Sequence, residues 1–455
     1  MNILLVSANV ASTPYCVYPL GASMVAAALR REGHRVTLFD LLRRDQSMDA
    51  VREEVRRVAP DLVGVSIRNV DNVNLLNEHR YIDVVAEMVR AIRAETAAKI
   101  VLGGSGFSVM PGPVLRAVGA DYGIVGEGER AFAAFVREAE AGRYPPAPIV
   151  RAPGDLSGAG IPAADYDDDL MAFYLRQGNI APVQTKRGCA HACAYCTYPV
   201  LEGRAVRARE PEAVADDVER LVDMGARYIF FTDSVFNDET GQYRALIRTF
   251  RDRGLQVPWT AFFKPSDEMD GAIIDAMRET GLRAAEIGSD APSDATLRGI
   301  GKGFTFEDVD RCNALFLDRG VSTAHYFMFG CPGETPETVR EGVANLLRLK
   351  RTAIFVFLGV RILPHTGIER IAVREGLIRE GQDLLDPVYY LSPRVDRAWM
   401  EETLKAAFAG HRHIVYPPDA LDAQLHALLR MGYTGALSDL LIKPAAGRRR
   451  GRGGN

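Results

Sequence analysis

Twice along this chain, short apolar runs alternate with helical patterns, and that alternation confines the fold to parallel sheets flanked by helices. In the first run Ile3–Val6 reads as a strand, Leu20–Arg31 as a helix that stops at Gly33, and Val36–Phe39 as the next strand. Leu62–Ser66, Ile100–Leu102 and Tyr122–Val125 supply three more strands. Helices are expected from about Tyr81 to Ala94 and from near Pro113. Parallel strands need right-handed crossovers, so five such units imply a flavodoxin-like doubly wound sheet, with ligands at the carboxyl ends of its strands.

Residues 143–181 break the rhythm. RYPPAPIVRAPGD and AADYDDD are rich in turn formers, and Met171–Leu175 makes this an ordered linker. The alternation resumes at 182. Strands are expected at Pro182–Thr185, Tyr228–Thr232, Trp259–Phe263, Ala284–Ile287, Ala324–Met328 and Ile354–Ile362, with helices such as Pro211–Met224 and Thr335–Lys350 between them. Six βα units make an open, partial (β/α)6 barrel whose chemistry sits in the loops after the strands. The expected division is a doubly wound α/β domain over 1–142, a linker over 143–181, the partial barrel over 182–375, a small helical C-terminal region over 376–445, and a disordered basic tail over 446–455.

Composition narrows the function. Hydrophobic residues make up 47% and charged residues 25%, an ordinary globular balance. A net charge of −4 gives no global basic field for nucleic acid, and GRRRGRGGN is a solvated tail. No window reaches the roughly 18 uninterrupted apolar residues of a membrane span. MNILLVSANVAS lacks a basic leader and reads as a strand, so a cytoplasmic location is expected. Cysteines in a reducing compartment serve as ligands or nucleophiles more often than as disulfides.

Three of the six cysteines lie in KRGCAHACAYC, residues 186–196, as Cys189, Cys193 and Cys196 in the spacing C-x3-C-x2-C. A structural zinc site wants a fourth ligand at a defined distance, and His191 lies between the cysteines. A [4Fe–4S] cluster held by three cysteines leaves one iron open to chelate a substrate or cofactor.

With Tyr195 before the last cysteine and a strand just before the loop, this motif resembles the radical S-adenosylmethionine (SAM) superfamily. The resemblance implies that Cys189, Cys193 and Cys196 hold the cluster. The open iron would bind the amino and carboxylate groups of SAM, and an electron from the cluster would cleave SAM to a 5′-deoxyadenosyl radical. YIFFTDSVFN, 228–237, resembles the family's second-strand motif, with Asp233 and Asn237 as polar candidates toward SAM or as turn caps. EIGSDAPSD, 286–294, sits where relatives often carry a Glu-Ser pair near the ribose; this chain has Ser289 and Asp290. Lys302 follows in GIGKGFT. FGCPGET, with Gly330 and Pro332, resembles the loop that closes over adenine, and RILPHTGI resembles the last barrel strand. Cys331 in that loop reads as packing.

A flavodoxin-like domain before such a barrel resembles the cobalamin-binding radical SAM class. GVSIRNVDN (64–72), VLGGSGFS (101–108) and GIVGEGER (123–130) follow successive strands and look like that class's loops around the nucleotide tail of cobalamin. Ser66, Arg68, Gly103, Gly104, Ser105, Gly126, Glu127 and Gly128 are the implied contacts. Arg68 would lie on the lower face of the corrin or pair with Asp71; Cys16 packs nearby. No D-x-H-x-x-G occurs to supply a histidine to cobalt.

The resemblance implies a C-methyltransferase acting at an unactivated carbon that uses a [4Fe–4S] cluster, SAM and methylcobalamin, an external donor such as flavodoxin or ferredoxin, and a small-molecule or lipid-like substrate, without nucleic acid. Lys264, His325, Tyr326, Arg361 and His365 are candidates to touch that substrate, under a cap that includes Tyr389 and Tyr390. The alternatives are a cobalamin-dependent cyclase or ring-rearranging enzyme, and a non-enzymatic Fe–S or cobalamin carrier. A methylthiotransferase would need more cysteines ahead of the motif than Cys16.

Overall fold

The computed structural model describes residues 1–13, 15–266, 269–435 and 441–442; the expected tail and the end of the C-terminal region lie outside them. The first sheet holds six parallel strands: β1 (Asn2–Ser7), β2 (Arg35–Asp40), β3 (Leu62–Ser66), β4 (Lys99–Gly103), β5 (Tyr122–Val125) and β6 (Ile149–Arg151). Their order is β2-β1-β3-β4-β5-β6, the flavodoxin-like arrangement extended by one edge strand. β1 and β3 are buried on both faces, which is why they read as unbroken apolar runs rather than alternating ones.

The helix Leu20–Arg31 falls where the sequence puts it. Met48–Val58, passed over in the sequence reading, buries Val51, Glu54, Val55 and Val58 on one stripe, and Ser47 Oγ accepts from the Ala50 amide to cap it. The linker is ordered: it contributes β6 and the helix Asp168–Arg176, capped by Asp167 on the Leu170 amide at 2.8 Å.

The second sheet has seven parallel strands. It opens with β7 (Ile180–Val183), followed by the antiparallel pair β8 (Lys186–Arg187) and β9 (Arg207–Ala208) that flanks the cysteine loop. β10 (Tyr228–Phe231), β11 (Trp259–Phe263), β12 (Leu282–Asp290), β13 (Ser322–Phe329) and β14 (Thr352–Leu358) complete the six expected units. The expected strand Ile354–Ile362 breaks at Gly359, which has φ +73°. β15 (Val360–Arg361) then turns away to pair antiparallel with β16 (Tyr389–Tyr390). The C-terminal region is not purely helical: β17 (Ile414–Val415) adds to the open edge beside β14. The sheet order is β17-β14-β13-β12-β11-β10-β7, a partial barrel. Helices Arg397–Phe408 and Asp422–Arg430 complete the chain's described part.

The two sheets share one interior. Buried side chains run without interruption from Val65 and Ile67 of the first domain to Phe327, Leu358 and Tyr390 of the barrel side. A second cluster joins Tyr18 and Met24 to Phe231 and Trp259. Among the described residues no helix is long and apolar enough to cross a membrane.

Candidate active site

The cysteine loop is clamped from three sides. The Cys189 amide donates to the Gly203 carbonyl at 3.1 Å, the Ala194 amide to Ile300 at 2.8 Å, and the Ile368 amide to the Ala194 carbonyl at 2.7 Å. Gly188, at φ +90°, lets the chain pass Ala205, whose carbonyl oxygen would stand 2.0 Å from any Cβ. Cys189 is buried and Cys193 and Cys196 are half-buried. Burial pushes the Cys196 thiol up to about 12 and raises Cys193 as well, so a bound metal's charge is what would favour thiolates here. Among the described residues no three His, Cys, Asp or Glu side chains converge on one metal ion. A cluster of several irons distributes its thiolates over different metal atoms, so three thiols without a fourth ligand fit a cluster better than a mononuclear ion.

Lys302 organises the loop's far side. Its ammonium pairs with Asp290, hydrogen-bonds Cys193 and lies 5.6 Å from the Tyr195 ring centroid. Tyr195 in turn hydrogen-bonds Asp290. Asp290 ends β12 at φ +64°, a left-handed conformation that Asp tolerates. Tyr195, Asp290 and Lys302 therefore gather beside the cysteines.

The other residues expected near SAM also make hydrogen bonds within the protein. Asp233 accepts from the Thr185 amide at 2.8 Å, the Thr185 hydroxyl at 2.6 Å and the Lys186 amide at 3.2 Å, and it pins the strand entering the cysteine loop. Asn237 exchanges two hydrogen bonds with the Lys264 backbone, at 2.8 and 2.9 Å. Ser289 is fully buried against His325, 2.7 Å from Nδ1, and His325 Nε2 faces Asn313 at 3.0 Å. Burial holds that imidazole down at about 3, so it is neutral. Gly330 donates to Glu334 at 3.0 Å, and its loop is closed by Ser392, whose amide donates to the Gly330 carbonyl at 2.9 Å. The Pro332 carbonyl packs on Gly299, and Cys331 is fully buried. These side chains build the frame of the site.

The first-domain loops behave differently. Ser66, Arg68, Gly103, Gly104, Ser105, Gly126, Glu127 and Gly128 all line one cavity of about 1000 Å³ between the two sheets. That is the upper end of the roughly 300–1000 Å³ usual for small-molecule sites. A Cβ on Gly103 would meet nothing within 4 Å, while one on Gly104, at φ +90°, would stand 2.5 Å from the Ile67 carbonyl oxygen. The loops are held to each other: Ser105 Oγ donates to the Arg68 carbonyl at 2.7 Å, and the Gly126 amide to Ser108 Oγ at 3.1 Å. Such a glycine-lined wall admits a bulky ligand to the backbone, as cobalamin requires.

The Glu127 carboxylate accepts from Arg187 at 3.0 Å and Arg207 at 2.9 Å, which ties the first domain to the barrel, and the residue also lines the cavity. Asp71 pairs with Arg361, not Arg68. Arg68 is exposed to the cavity and forms no ion pair among the described residues. Arg361 and His325 are buried structural groups, Lys264 pairs with Glu239, and His365 is exposed. Cys16 packs, with burial raising its thiol to about 11.

The barrel's share of the cavity wall includes Gln184, Thr197, Tyr198, Phe230, Glu286 and Tyr326, and the last described helix adds Asp422, Leu425 and His426. Thr197 directly follows Cys196, so the cysteine loop borders the cavity. Sequence reading missed Glu286 and the C-terminal residues. Glu286 carried a legible signal, as a lone carboxylate within the otherwise apolar run AAEIG.

These elements define a B12-type domain facing a radical SAM barrel. The family model described as B12 binding domain matches residues 6–136, and that of the radical SAM superfamily matches residues 183–347. The chain thus carries a cobalamin-binding domain fused to a radical SAM domain, an architecture that matches the class B radical SAM methyltransferases. It is 26% identical over 447 residues to tryptophan 2-C-methyltransferase of Streptomyces laurentii, spanning 81% of this chain and 74% of that one. The structure of the radical SAM methyltransferase TsrM from Kitasatospora setae with tryptophan and a SAM analogue superposes with a TM-score of 0.83 at 26% identity, covering 95% of this chain and 96% of that chain. The same protein with cobalamin and a [4Fe–4S] cluster gives 0.82, covering 96% of each.

Proposed function

We propose that this enzyme transfers a methyl group from SAM, by way of cobalamin, to a carbon atom of a small aromatic molecule bound in the cavity between the two sheets. The observation that carries the reading is the cavity itself, which joins the glycine loops of β3, β4 and β5 to the barrel lumen beside the cysteine motif. The similarity to a tryptophan C-methyltransferase along most of both chains supports it.

The residues take the following roles. Cys189, Cys193 and Cys196 hold the cluster, and Lys302, hydrogen-bonded to Cys193, offsets thiolate charge. Tyr195 and Asp290 hold Lys302 in place. Ser66, Gly103, Gly104, Ser105, Gly126 and Gly128 would form the wall that holds cobalamin, and Arg68, which lines the same cavity, would supply a permanent cation there. The cluster supplies an open iron for SAM and a low-potential electron, and cobalamin supplies a methyl carrier. Asp422, Leu425 and His426 of the helix Asp422–Arg430 form part of the cavity wall. The modules are the first domain over 1–142, the linker to 181, the barrel to 375 and the C-terminal cover. An external donor of the flavodoxin or ferredoxin kind would supply electrons to the cluster.

The test is anaerobic reconstitution with iron, sulfide and cobalamin, followed by incubation with methyl-labelled SAM and aromatic amino acids. Stoichiometric corrinoid and label recovered in a product one CH2 heavier are expected. A protein that retains the cluster but no corrinoid would remove the methyl-transfer reading.

A further inference from the structure

The barrel lumen is rich in rings. Tyr326 stacks on Phe355 with centroids 5.3 Å apart, Phe262 lies 6.2 Å from Tyr326, and Tyr15 of the first domain meets Phe230 edge-on at 6.1 Å. Into this lumen β12 projects Glu286, which is 8% exposed and lines the cavity. Its one hydrogen-bond donor among the described residues is the Tyr326 hydroxyl, at 2.6 Å.

Several buried carboxylates elsewhere have cations, whereas Glu334 has none among the described residues and instead accepts from the Gly330 amide at 3.0 Å and the Thr338 hydroxyl at 2.6 Å. Asp71 has Arg361, Glu127 has Arg187 and Arg207, and Asp217 has Arg209. Glu202, also on the cavity wall, takes the Gly188 amide and lies in the field of Arg187. Glu286 has neither a paired cation nor a nearby one among the described residues, and burial raises its carboxyl above the usual range. A carboxylate out of water is costly unless something donates to it. Tyr326 occupies one acceptor position of several, and the rest face the cavity.

We propose that Glu286 is the substrate anchor, accepting a nitrogen-borne hydrogen from a planar aromatic substrate lodged among the lumen rings. The inference rests on the methyl-transfer reading and deepens it. Rings of the lumen take the flat apolar body, and Glu286 fixes which edge enters first, and so which carbon is presented. The hydrogen comes from a heteroaromatic N–H or from an ammonium group; the chemistry at Glu286 is the same.

The test is equilibrium dialysis on protein reconstituted with cluster and cobalamin, using L-tryptophan, 1-methyl-L-tryptophan and indole-3-propionate. Tryptophan binding is expected, weakened at least about tenfold by Glu286→Gln, the cost of losing a charged hydrogen-bond partner. Glu286→Asp should restore part of it, and Tyr326→Phe should weaken it less. Indole-3-propionate keeps the ring N–H without the amine, and 1-methyl-L-tryptophan the reverse; whichever retains the Glu286 dependence names the donor. Equal binding by wild type and Glu286→Gln, or no binding of any probe to loaded wild type, overturns the anchor. Iron and corrinoid contents are measured on every sample. A wild-type protein that takes up no corrinoid overturns the methyl-transfer reading, and the anchor with it; normal loading with no Glu286 dependence overturns the anchor alone.

Discussion

Arg361, on β15, places Nε 2.9 Å from Oδ2 of Asp71 in the first domain, and both side chains are almost wholly buried. The pair is fully satisfied. Arg361 also donates to the Ile362 and Leu384 carbonyls at 2.7 and 2.8 Å, and Asp71 accepts from the Val73 amide at 2.9 Å. Removing one partner strands a buried charge, at a cost of about 3–5 kcal/mol. Arg361→Leu and Asp71→Leu are each expected to destabilise the protein by that order. The double variant should lose clearly less than the sum, because it buries no lone charge. Urea unfolding of all four proteins measures this; additive losses would mean that the pair is not coupled.

The six cysteines divide into two groups with different expected behaviour. Cys16, Cys312 and Cys331 are packed against apolar neighbours, whereas Cys189, Cys193 and Cys196 share one loop. Alanine at any of the last three should abolish the iron–sulfur absorption of anaerobically reconstituted protein. Alanine at Cys16 or Cys312 should leave iron content unchanged and cost only packing energy, on the order of 1 kcal/mol. Iron and sulfide assays on the five variants decide it. A full cluster in Cys193→Ala would remove that residue from the ligand set.

Periodicity and turn chemistry made most strands legible, because buried parallel strands are contiguous apolar runs. β6 and β17 were not legible: three and two residues long, they are edge additions whose pairing depends on neighbours far away in sequence. The glycine loops were legible because glycine is needed where a ligand approaches the backbone, and they do line the cavity. Asp233, Asn237 and Ser289 are polar residues near strand ends, and sequence alone does not show which groups of the protein they bond: Thr185 and the Lys186 amide, the Lys264 backbone, and the His325 ring. Glu127 illustrates the same limit across domains, since its partners Arg187 and Arg207 lie 60 and 80 residues away.

That Glu127 network makes an acid-dependent prediction. Burial by itself raises the carboxyl, but the Leu156 amide, Arg187 and Arg207 outweigh it and hold the group below its ordinary value. A carboxyl depressed in the folded state adds stability that is present above the unfolded value of about 4.3 and is lost as pH falls through the folded one. Glu127→Gln should therefore lower the melting temperature most near neutrality. The gap to wild type should close as pH drops below about 4. A gap that stays constant from pH 7 downward would show that the carboxylate's charge does not stabilise the domain contact.

Adjacent glycines in the second cobalamin loop separate folding from binding. Gly104 has φ +90° and no room for a Cβ beside the Ile67 carbonyl, so Gly104→Ala should cost about 1–3 kcal/mol in backbone strain and displacement. Gly103 ends β4 without a positive φ, and a side chain there enters open cavity. Gly103→Val is expected to keep wild-type stability within about 0.5 kcal/mol, yet lose most of its bound corrinoid on desalting, because the isopropyl group fills space the ligand needs. Thermal melts paired with corrinoid absorbance read both variants. A Gly103→Val protein that holds corrinoid as wild type does would place the cofactor away from this loop, and one that fails to fold would show that the space beside Gly103 belongs to the core rather than to a ligand.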